Sequence, residues 1–405
     1  AVTLRLTGDC EFDAVTVSDG DTLDLNGQRM ECSGNFTASS GGCNVDFGAG
    51  MLIAPRLNIT GGTFSNVAGT SFIVSGSSGG ENNTLDDSTL TGDATTNLFI
   101  NNGSVSCDWS SSDNYAGNVI VGSGTYRSQS TDSNKCNNIT VATGSTLDAD
   151  NDLITCKGDF TTSGGLIGKS ALVFDGTDDI AHIPDNAAIS GLTNMSMEAW
   201  AKYDSTGSSS FRFIFRKNAE YILGITNAGY FYGMFHDGTA ERDFIGNVDL
   251  RDDKWHHFAG TWDSSSGTGS FYLDGKLIGT SSGNAVAINN NSGVLTVGGR
   301  DADGTCSSFM DGCIDEFRLW NDIRTESELR SGMFGTYTSS EAGLAGRWAC
   351  DEGTGTTVAD SSSNSNTLTF GAATGGTGGA GANPPSFAGA GTFTYGTSTL
   401  KMTGT

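Results

Sequence analysis

An imperfect internal repeat in the first 165 residues constrains the fold of this chain more than any other feature. The clearest copies run from residue 10 to 42, CEFDAVTVSDGDTLDLNGQRMECSGNFTASSGG, and from residue 136 to 165, CNNITVATGSTLDADNDLITCKGDFTTSGG. In both copies, Val-Thr-Val or Ile-Thr-Val leads to Gly-x-Thr-Leu-Asp and then to Cys-x-Gly-x-Phe-Thr. Composition alone does not explain two copies that match at so many positions.

The repeat predicts short strands separated by tight turns. Segments between the two copies, such as 57–69 and 118–126, have the same form, with alternating apolar residues followed by Gly, Ser or Asn. Each unit is too small to bury its own apolar side, so neighbouring coils must supply the core, as in a β-solenoid. Asn and Thr at equivalent positions are then expected to stack as ladders. A Gly-rich β-sandwich is the alternative, since 59 of the 405 residues are Gly.

The net charge limits the partners of the chain. With 46 acidic and 21 basic side chains, the formal charge is −25, which repels phosphate backbones and anionic lipid headgroups. We therefore expect no nucleic-acid partner. We also expect no membrane insertion, because no apolar stretch approaches the roughly 20 residues of a membrane span. Ala1 opens directly into a strand-like run, so we expect a mature chain or a fragment.

The nine cysteines favour an oxidising setting, extracellular or on the surface of a virion. Cys10 with Cys32, and Cys136 with Cys156, occupy matching positions in the repeat and are candidates for disulfides between adjacent coils. Cys107 with Cys136 is a competing pairing that the sequence does not exclude.

The remaining cysteines lie outside these pairs. Cys306 and Cys313 flank a short loop rich in Ser, Asp and Gly, where a local disulfide is expected, while Cys43 and Cys350 have no evident partner. A zinc site is the functional alternative in the repeat region, but no Cys-x₂-Cys pair or His partner supports it there.

Composition suggests three regions. Residues 1–165 hold the repeat, and residues 166–371 hold five of the six Trp and all four His. Residues 372–405 begin with a Gly/Ala-rich connector and then return to the solenoid-like pattern.

The central region carries a succession of motifs that resembles a known family. The segments are SALVFDGTDDIAHIPD, MSMEAWAKY, DDKWHHFAGTWDSSSGTGSFYLDGKLIGT, FMDGCIDEFRLWNDIRTESELRSGMF and GLAGRWACDEGTGTTVADSSSNSNTLTF. Together they resemble the laminin-G-like, concanavalin-A-like jelly rolls of secreted lectin-type modules and of structural proteins of marine tailed bacteriophages. The expected fold class is therefore all-β, a β-solenoid-like repeat followed by an antiparallel β-sandwich.

Local patterns within this region agree with a sandwich. Asp274-Gly275 between two alternating runs predicts a tight hairpin turn. Thr325 to Glu328 has the form of a capping box that opens the only convincing helix. The Trp255-His256-His257 motif is expected to be structural, with one imidazole hydrogen-bonded in the interior.

Clustered carboxylates make a structural Ca²⁺ the expected cofactor. Asp175, Asp178 and Asp179 lie in one turn, and the resemblance implies that Asp315 lies near the N-terminal strand of the sandwich. Carboxylates and turn carbonyls suit Ca²⁺, which takes 6–8 oxygen ligands, so Asp175, Asp178 and Asp315 are the candidate ligands. The alternative is that these Asp residues only form turns and caps.

Aromatic side chains offer a candidate sugar site. Tyr230, Tyr232 and His236 could stack on a glycan, as could Phe231, with polar support from loops that carry Asp301 and Asp303. The alternative is that this aromatic strand belongs to the core.

We predict no catalytic residues, because the chain has no HExxH motif and no phosphate loop. The leading hypothesis is a non-enzymatic structural protein of a virion, a phage capsid decoration or fibre, which displays the lectin-like jelly roll for attachment. Its expected partners are other virion subunits, copies of itself and host-surface glycans. Two alternatives stay open: a carbohydrate-binding module of a secreted bacterial adhesin or enzyme, and a subunit of an extracellular filament.

Overall fold

The computed structural model of the chain describes residues 1–75, 82–85, 95–108, 117–128, 134–149, 153–206, 210–302, 305–373, 385–394 and 399–402. It divides the chain into two compact units, Ala1–Gly168 with Gly389–Thr405, and Lys169–Ala388. Within the described residues, no helix is both long enough and apolar enough to cross a membrane.

The chain is built almost entirely from strands. The strands before residue 165 are β1 (Thr3–Arg5), β2 (Cys10–Phe12), β3 (Val15–Val17), β4 (Thr22–Asp24), β5 (Arg29–Cys32), β6 (Phe36–Asp46), β7 (Met51–Ala54), β8 (Leu57–Ser65), β9 (Ser71–Val74), β10 (Asn82–Leu85), β11 (Asn97–Asp108), β12 (Asn118–Ser128), β13 (Asn134–Cys136), β14 (Ile139–Ala142), β15 (Thr146–Asp148), β16 (Leu153–Cys156) and β17 (Phe160–Gly164).

The second unit contains β18 (Leu172–Asp175), β19 (Ala181–Ile183), β20 (Met195–Tyr203), β21 (Arg212–Lys217), β22 (Tyr221–Ile225), β23 (Tyr230–His236), β24 (Glu241–Asp249), β25 (Trp255–Asp263), β26 (Thr268–Leu273), β27 (Lys276–Ser282), β28 (Leu295–Val297), β29 (Arg300–Ala302), β30 (Thr305–Ser307), β31 (Asp311–Trp320), helix α1 (Glu326–Gly332), β32 (Leu344–Trp348), β33 (Thr357–Val358), β34 (Leu368–Phe370) and β35 (Ser386–Phe387). The chain then returns to the first unit with β36 (Thr392–Thr394) and β37 (Thr399–Met402).

The first unit is a β-solenoid, in which every strand pairs in parallel with the equivalent strand of the next coil. In most pairs the partners are separated by about 20 residues, as in Cys10 with Met30 and Thr125 with Thr146, but Ser71 and Asn97 are 26 apart. The two final strands continue the same pattern, since β36 pairs with β15 and β37 with β16.

Identical positions of successive coils form the narrow core. One column passes through seven coils in register: Met30, Leu52, Phe72, Leu98, Val119, Ile139 and Phe160. The first six of these side chains are buried. The predicted ladder is also present, because Asn118 Nδ2 donates to Asn97 Oδ1 (3.1 Å) and Asn138 Nδ2 to Asn118 Oδ1 (2.8 Å).

The second unit is a sandwich of two antiparallel sheets. We call the sheet β24-β23-β22-β21-β28-β19-β34-β33 the front sheet and the sheet β27-β26-β25-β20-β31-β18-β35, with β32 beside β31, the back sheet. Alternate side chains of both sheets meet in one core that includes Phe231, Phe258 and Trp262. The predicted fold class is therefore confirmed for both units.

Two local predictions are also confirmed. Asp274 (φ 50°) and Gly275 (φ 70°) form the two-residue loop between β26 and β27, and positive φ at both positions is what a type I′ turn requires. Thr325 caps α1 with a complete capping box, in which its side chain accepts from Glu328 N and Glu328 Oε2 accepts from Thr325 N.

The predicted disulfides are absent: the structure records thiols at eight cysteines, and the side chain of Cys107 lies outside the described residues. Register explains two of the three pairs. Cys10 lies opposite Met30 and Cys32 opposite Phe12, so these two cysteines are two positions out of step. Cys306 lies opposite Asp301 in a separate hairpin, while Cys313 lies in the back sheet.

The third pair, Cys136 and Cys156, is different. These two residues lie directly opposite each other in β13 and β16. Both residues carry thiols, but their register would allow a disulfide between them.

Candidate functional site

The outer side of the front sheet is unusually aromatic. Strand β23 alternates: Phe231 and Phe235 point into the core, while Tyr232 and Met234 belong to a second, separate cluster. The solvent side of an antiparallel sheet is normally polar. We call this outer side the aromatic face, formed by Phe211, Phe213, Arg216, Ile222, Tyr230, Tyr232, Met234 and His236.

Three rings hold the centre of the aromatic face. Phe211 meets Tyr232 edge to face at 4.9 Å and stacks with Phe213 at 6.1 Å between ring centroids. Phe213 and Tyr232 are 7% and 8% exposed, while Tyr230, on the same side of β23, is 37% exposed. The face thus combines a fixed aromatic base with one exposed ring.

Charged groups surround these rings. The register of β23 with β24 places Glu241 opposite His236 and Asp243 opposite Met234. Burial raises the pKa of Tyr232 to about 12, and the carboxylates of Glu241 and Asp243 act in the same direction. The Tyr232 hydroxyl therefore stays protonated at neutral pH and remains a hydrogen-bond donor.

Arg216 lies at the aromatic face and has a second arginine, Arg300, near it. Arg216 in β21 is 8% exposed and donates to Asn218 Oδ1. Burial and then the charge of Arg300 lower the pKa of Arg216. Arg300, in β29, is exposed. The face can therefore offer planar hydrogen-bond donors beside aromatic rings.

The structure brings together only part of the predicted sugar site. Tyr230, Tyr232 and His236 share the aromatic face as expected, but Phe231 is wrong, since it is 1% exposed and lies in the core. Asp301 lies in the β29–β30 hairpin opposite Cys306. Asp303 lies outside the described residues.

The acidic turn after β18 forms a compact cluster. Ligand oxygens of Asp175, Asp178 and Asp179 lie within 4.8 Å of one another. Asp179 Oδ2 accepts from Asp175 N (2.8 Å), and Asp175 Oδ1 accepts from Thr177 N (2.8 Å). Burial raises the pKa of Asp179 to about 6 and outweighs the opposing effect of the hydrogen bond from the Asp175 backbone. The neighbouring carboxylates of Asp175 and Asp178 raise this pKa further. These oxygens fit a hard cation in kind, although several already bind the turn.

Asp315 does not belong to this cluster, which corrects its predicted place among the metal ligands. Asp311, not Asp315, lies opposite Asp175. Asp315 is four residues further along β31, about 13 Å away at the usual rise per strand residue, and is fully buried opposite Trp200.

The two histidines of the Trp-His-His motif have structural partners, as predicted. His257 Nε2 lies 3.0 Å from Glu198 Oε2 in the interior of the back sheet. His256 Nδ1 lies 2.7 Å from Asp274 Oδ2, next to the hairpin turn.

Sequence reasoning missed Phe211, Phe213, Arg216 and Arg300. The signal was present only in part, because FRFIFRK has Phe at positions 211, 213 and 215, but a register irregularity in β21 places Phe215 in the core with Ile214. Which side of each strand faces outward depends on the neighbouring strands, so the sequence could not distinguish the aromatic face from the core.

Comparison with known families agrees with the fold. Residues 175–330 match the Laminin_G_3 model, described as the concanavalin A-like lectin/glucanases superfamily. The match lies within the sandwich and covers less than half of the chain. A search of curated proteins finds no match to the sequence.

Several solved structures are similar in part. A candidate carbohydrate-binding protein from Bacteroides ovatus is 20% identical, with a TM-score of 0.43 over 52% of this chain and 60% of that one. A heptameric SAP-like pentraxin from Limulus polyphemus is 12% identical (TM-score 0.32; 40% and 81% covered). The CBM40 of the Ruminococcus gnavus IT-sialidase, bound to α2,3-sialyllactose, is 16% identical (TM-score 0.33; 40% and 97% covered). This chain thus spans less than two thirds of the Bacteroides protein.

Proposed function

We propose that this chain is a non-enzymatic attachment protein of an extracellular or particle surface, in which the sandwich binds glycans at its aromatic face. The observation that carries the proposal is the second aromatic cluster, built on the outer side of the front sheet and separate from the core. A sandwich needs apolar residues only on its inner sides. This second cluster is itself buried, and the half-buried Phe211 and the exposed Tyr230 supply the accessible aromatic surface beside it.

The chemistry of the face suits a sugar. Ring faces of Tyr230 and Phe211 can pack against the C–H side of a pyranose, because such sites combine aromatic surface with a few oriented polar groups. The Tyr232 hydroxyl, the Arg216 guanidinium and the carboxylates of Glu241 and Asp243 can bind sugar hydroxyls. Since the whole chain carries a charge of −25, neutral glycans are the favoured ligand class.

The solenoid would serve as the support that displays this domain. Each coil buries its apolar column against its neighbours, so such an array makes a stiff, elongated scaffold. A weak glycan site on many copies of a surface subunit would bind by avidity. The finer assignment, a decoration or fibre subunit of a tailed phage with other virion subunits as partners, is part of the same proposal and rests on the sequence motifs of the sandwich beside the repeat.

A structural Ca²⁺ at Asp175, Asp178 and Asp179 completes the proposal. Three carboxylates within 4.8 Å repel one another, and a bound divalent cation would relieve this repulsion. Ca²⁺ should therefore raise the melting temperature of the intact chain, and Asp178→Asn should reduce that increase. Calcium titration followed by calorimetry measures both, and an unchanged melting temperature would remove Ca²⁺ from the proposal.

The glycan site is tested by binding to a panel of neutral and charged glycans, followed by calorimetry with the best ligand. Tyr230→Ala and Arg216→Met should each weaken binding at least about tenfold, the effect of losing roughly 1.4 kcal/mol of binding free energy. Leu277→Ala, at a residue 42% exposed on edge strand β27 of the back sheet, is the matched control and should bind normally. If all three variants bound the glycan as tightly as the wild-type protein, the aromatic face would be refuted as the site.

A further inference from the structure

The cysteine pairs at the two ends of the repeat occupy equivalent motifs but differ in spacing. Cys10 and Cys32 are separated by 22 positions, whereas Cys136 and Cys156 are separated by 20. On this side of the solenoid one coil corresponds to the shift from Cys10 to Met30 and from Asn134 to Ile154. Only the second pair therefore matches the length of a coil.

The matching length brings Cys136 and Cys156 directly opposite each other. Neighbouring strands lie about 4.8 Å apart, and disulfides span Cα separations of roughly 4.4–6.8 Å. The side chains point to the same side, because the thiol of Cys136 reaches Thr155 O (3.7 Å) and that of Cys156 reaches Asn137 O (3.3 Å).

We propose that Cys136 and Cys156 form a cross-linking site that a low-molecular-weight disulfide, such as oxidised glutathione, closes into a covalent staple between two coils. The pair is buried, at 4% and 0% exposure, so the bond would join coils within the solenoid and not link separate molecules.

The two thiols have different roles in this reaction. The neighbouring Cys136 thiol lowers the pKa of Cys156 although burial opposes it, while the Cys156 thiol and burial raise the pKa of Cys136. Because both sulfurs are buried, the exchange takes place when the two coils open locally. The Cys156 thiolate then attacks one sulfur of the small disulfide, forms a mixed disulfide and releases one small thiol. Cys136 then loses its proton, attacks the Cys156 sulfur and releases the second small thiol. The protein gives up two hydrogen atoms, and the small disulfide is reduced to two thiols.

The experiment equilibrates the full chain in glutathione buffers of increasing oxidation, approached from both the reduced and the oxidised protein. Acid quenching, alkylation and tryptic digestion follow. Lys135 and Lys157 flank the pair, so one peptide, residues 136–157, contains both cysteines. The staple makes this peptide lighter by two hydrogen atoms and blocks both alkylations.

Cys10 and Cys32 are the matched control within the same molecule. Since they are two positions out of register, the equilibrium constant for oxidation of Cys136 and Cys156 should exceed theirs at least about tenfold. Cys156→Ser should leave Cys136 fully open to alkylation. Equal oxidation of the two pairs, or a peptide that links Cys136 to Cys107, would overturn the proposal.

Discussion

Polar side chains find their hydrogen-bond partners in different ways in the solenoid and in the sandwich. In the solenoid, a polar side chain is bound by its own counterpart one coil away, as in the ladder of Asn97, Asn118 and Asn138. In the sandwich, charged side chains distant in sequence meet in the interior, and Arg318 and Glu198 are 0% and 2% exposed. Stability in the solenoid is therefore expected to be local, and stability in the sandwich to be shared across the whole unit.

The buried charges of the sandwich form one network on the back sheet. Arg318 lies between Glu198 (3.4 Å) and Glu316 (3.1 Å), and Glu316 also accepts from Arg347 Nε at 2.9 Å. Arg318 further donates to the carbonyls of Gly332 (3.1 Å) and Gly335 (2.7 Å). The network thus attaches the end of α1 and the segment after it to the sheet.

Removing the central cation should have the largest effect of any single change. Arg318→Leu leaves two buried carboxylates without their shared partner, and breaking a buried pair costs about 3–5 kcal/mol. Tryptophan fluorescence in urea reports this loss, since five of the six Trp lie in the sandwich. Hydrogen exchange should show the solenoid unchanged.

Arg300→Leu, at an exposed arginine of the same unit, is the control and should change the unfolding midpoint little. If Arg318→Leu proved no more destabilising than Arg300→Leu, the contrast between the two units would lose its main support.

A cavity in the solenoid column should have a large but local effect. Leu98→Ala removes a fully buried side chain between Phe72 and Val119, and such changes cost about 2–5 kcal/mol. Hydrogen exchange should accelerate in the coils next to β11 and remain normal in the sandwich. Leu153→Ala, at a position 38% exposed, is the control. Uniform acceleration along the solenoid would show that its coils unfold as one unit.

The repeat made the solenoid predictable because its periodicity is a local property of the sequence. The matching motifs at Cys10 and Cys136 implied equivalent coils, and the ladders followed from stacking. The exact register could not be predicted. Cys10 and Cys32 are two residues further apart than Cys136 and Cys156, but which spacing equals one coil is known only from the structure.

The candidate site was less predictable because it depends on contacts between strands distant in sequence. Tyr230 and Tyr232 were selected as rings that could stack on a sugar, and Phe231 was assigned to the same site because the sequence does not show which side faces outward. Asp315 was placed near Asp178 by resemblance, whereas the antiparallel register puts Asp311 there. Hairpin and cap signals such as Asp274-Gly275 succeeded because they need only neighbouring residues.

The His256 ion pair predicts a dependence on pH that belongs to the sandwich. Burial disfavours the charged imidazole, but Asp274 and Asp252 outweigh it and raise the pKa of His256 to about 10. The unfolded value is near 6.5, so the stabilisation is complete below that pH and is lost as the pH rises towards 10. His256→Gln should cost about 1.5–3 kcal/mol at pH 6, the usual contribution of a charged hydrogen bond.

The measurement compares the urea midpoints of wild type and His256→Gln between pH 6 and pH 10. Subtracting the two curves removes the titration of all groups common to both proteins. The difference should shrink as the pH rises, and a constant difference would mean that His256 contributes by packing and not by charge.

The smallest expected effect concerns the asparagine ladder, where the solenoid model of stability is tested most directly. Asn118→Ala removes the acceptor of Asn138 and the donor to Asn97, yet the ladder is partly solvated, so the cost should be about 1 kcal/mol. Asn35→Ala, at an exposed asparagine of the same unit, should cost less. Because each ladder contact joins only adjacent coils, hydrogen exchange should increase at residues 97–101 and 138–142 and nowhere in the sandwich. A loss spread over both units would mean that the solenoid and the sandwich share their stability, and the contrast drawn between them would be wrong.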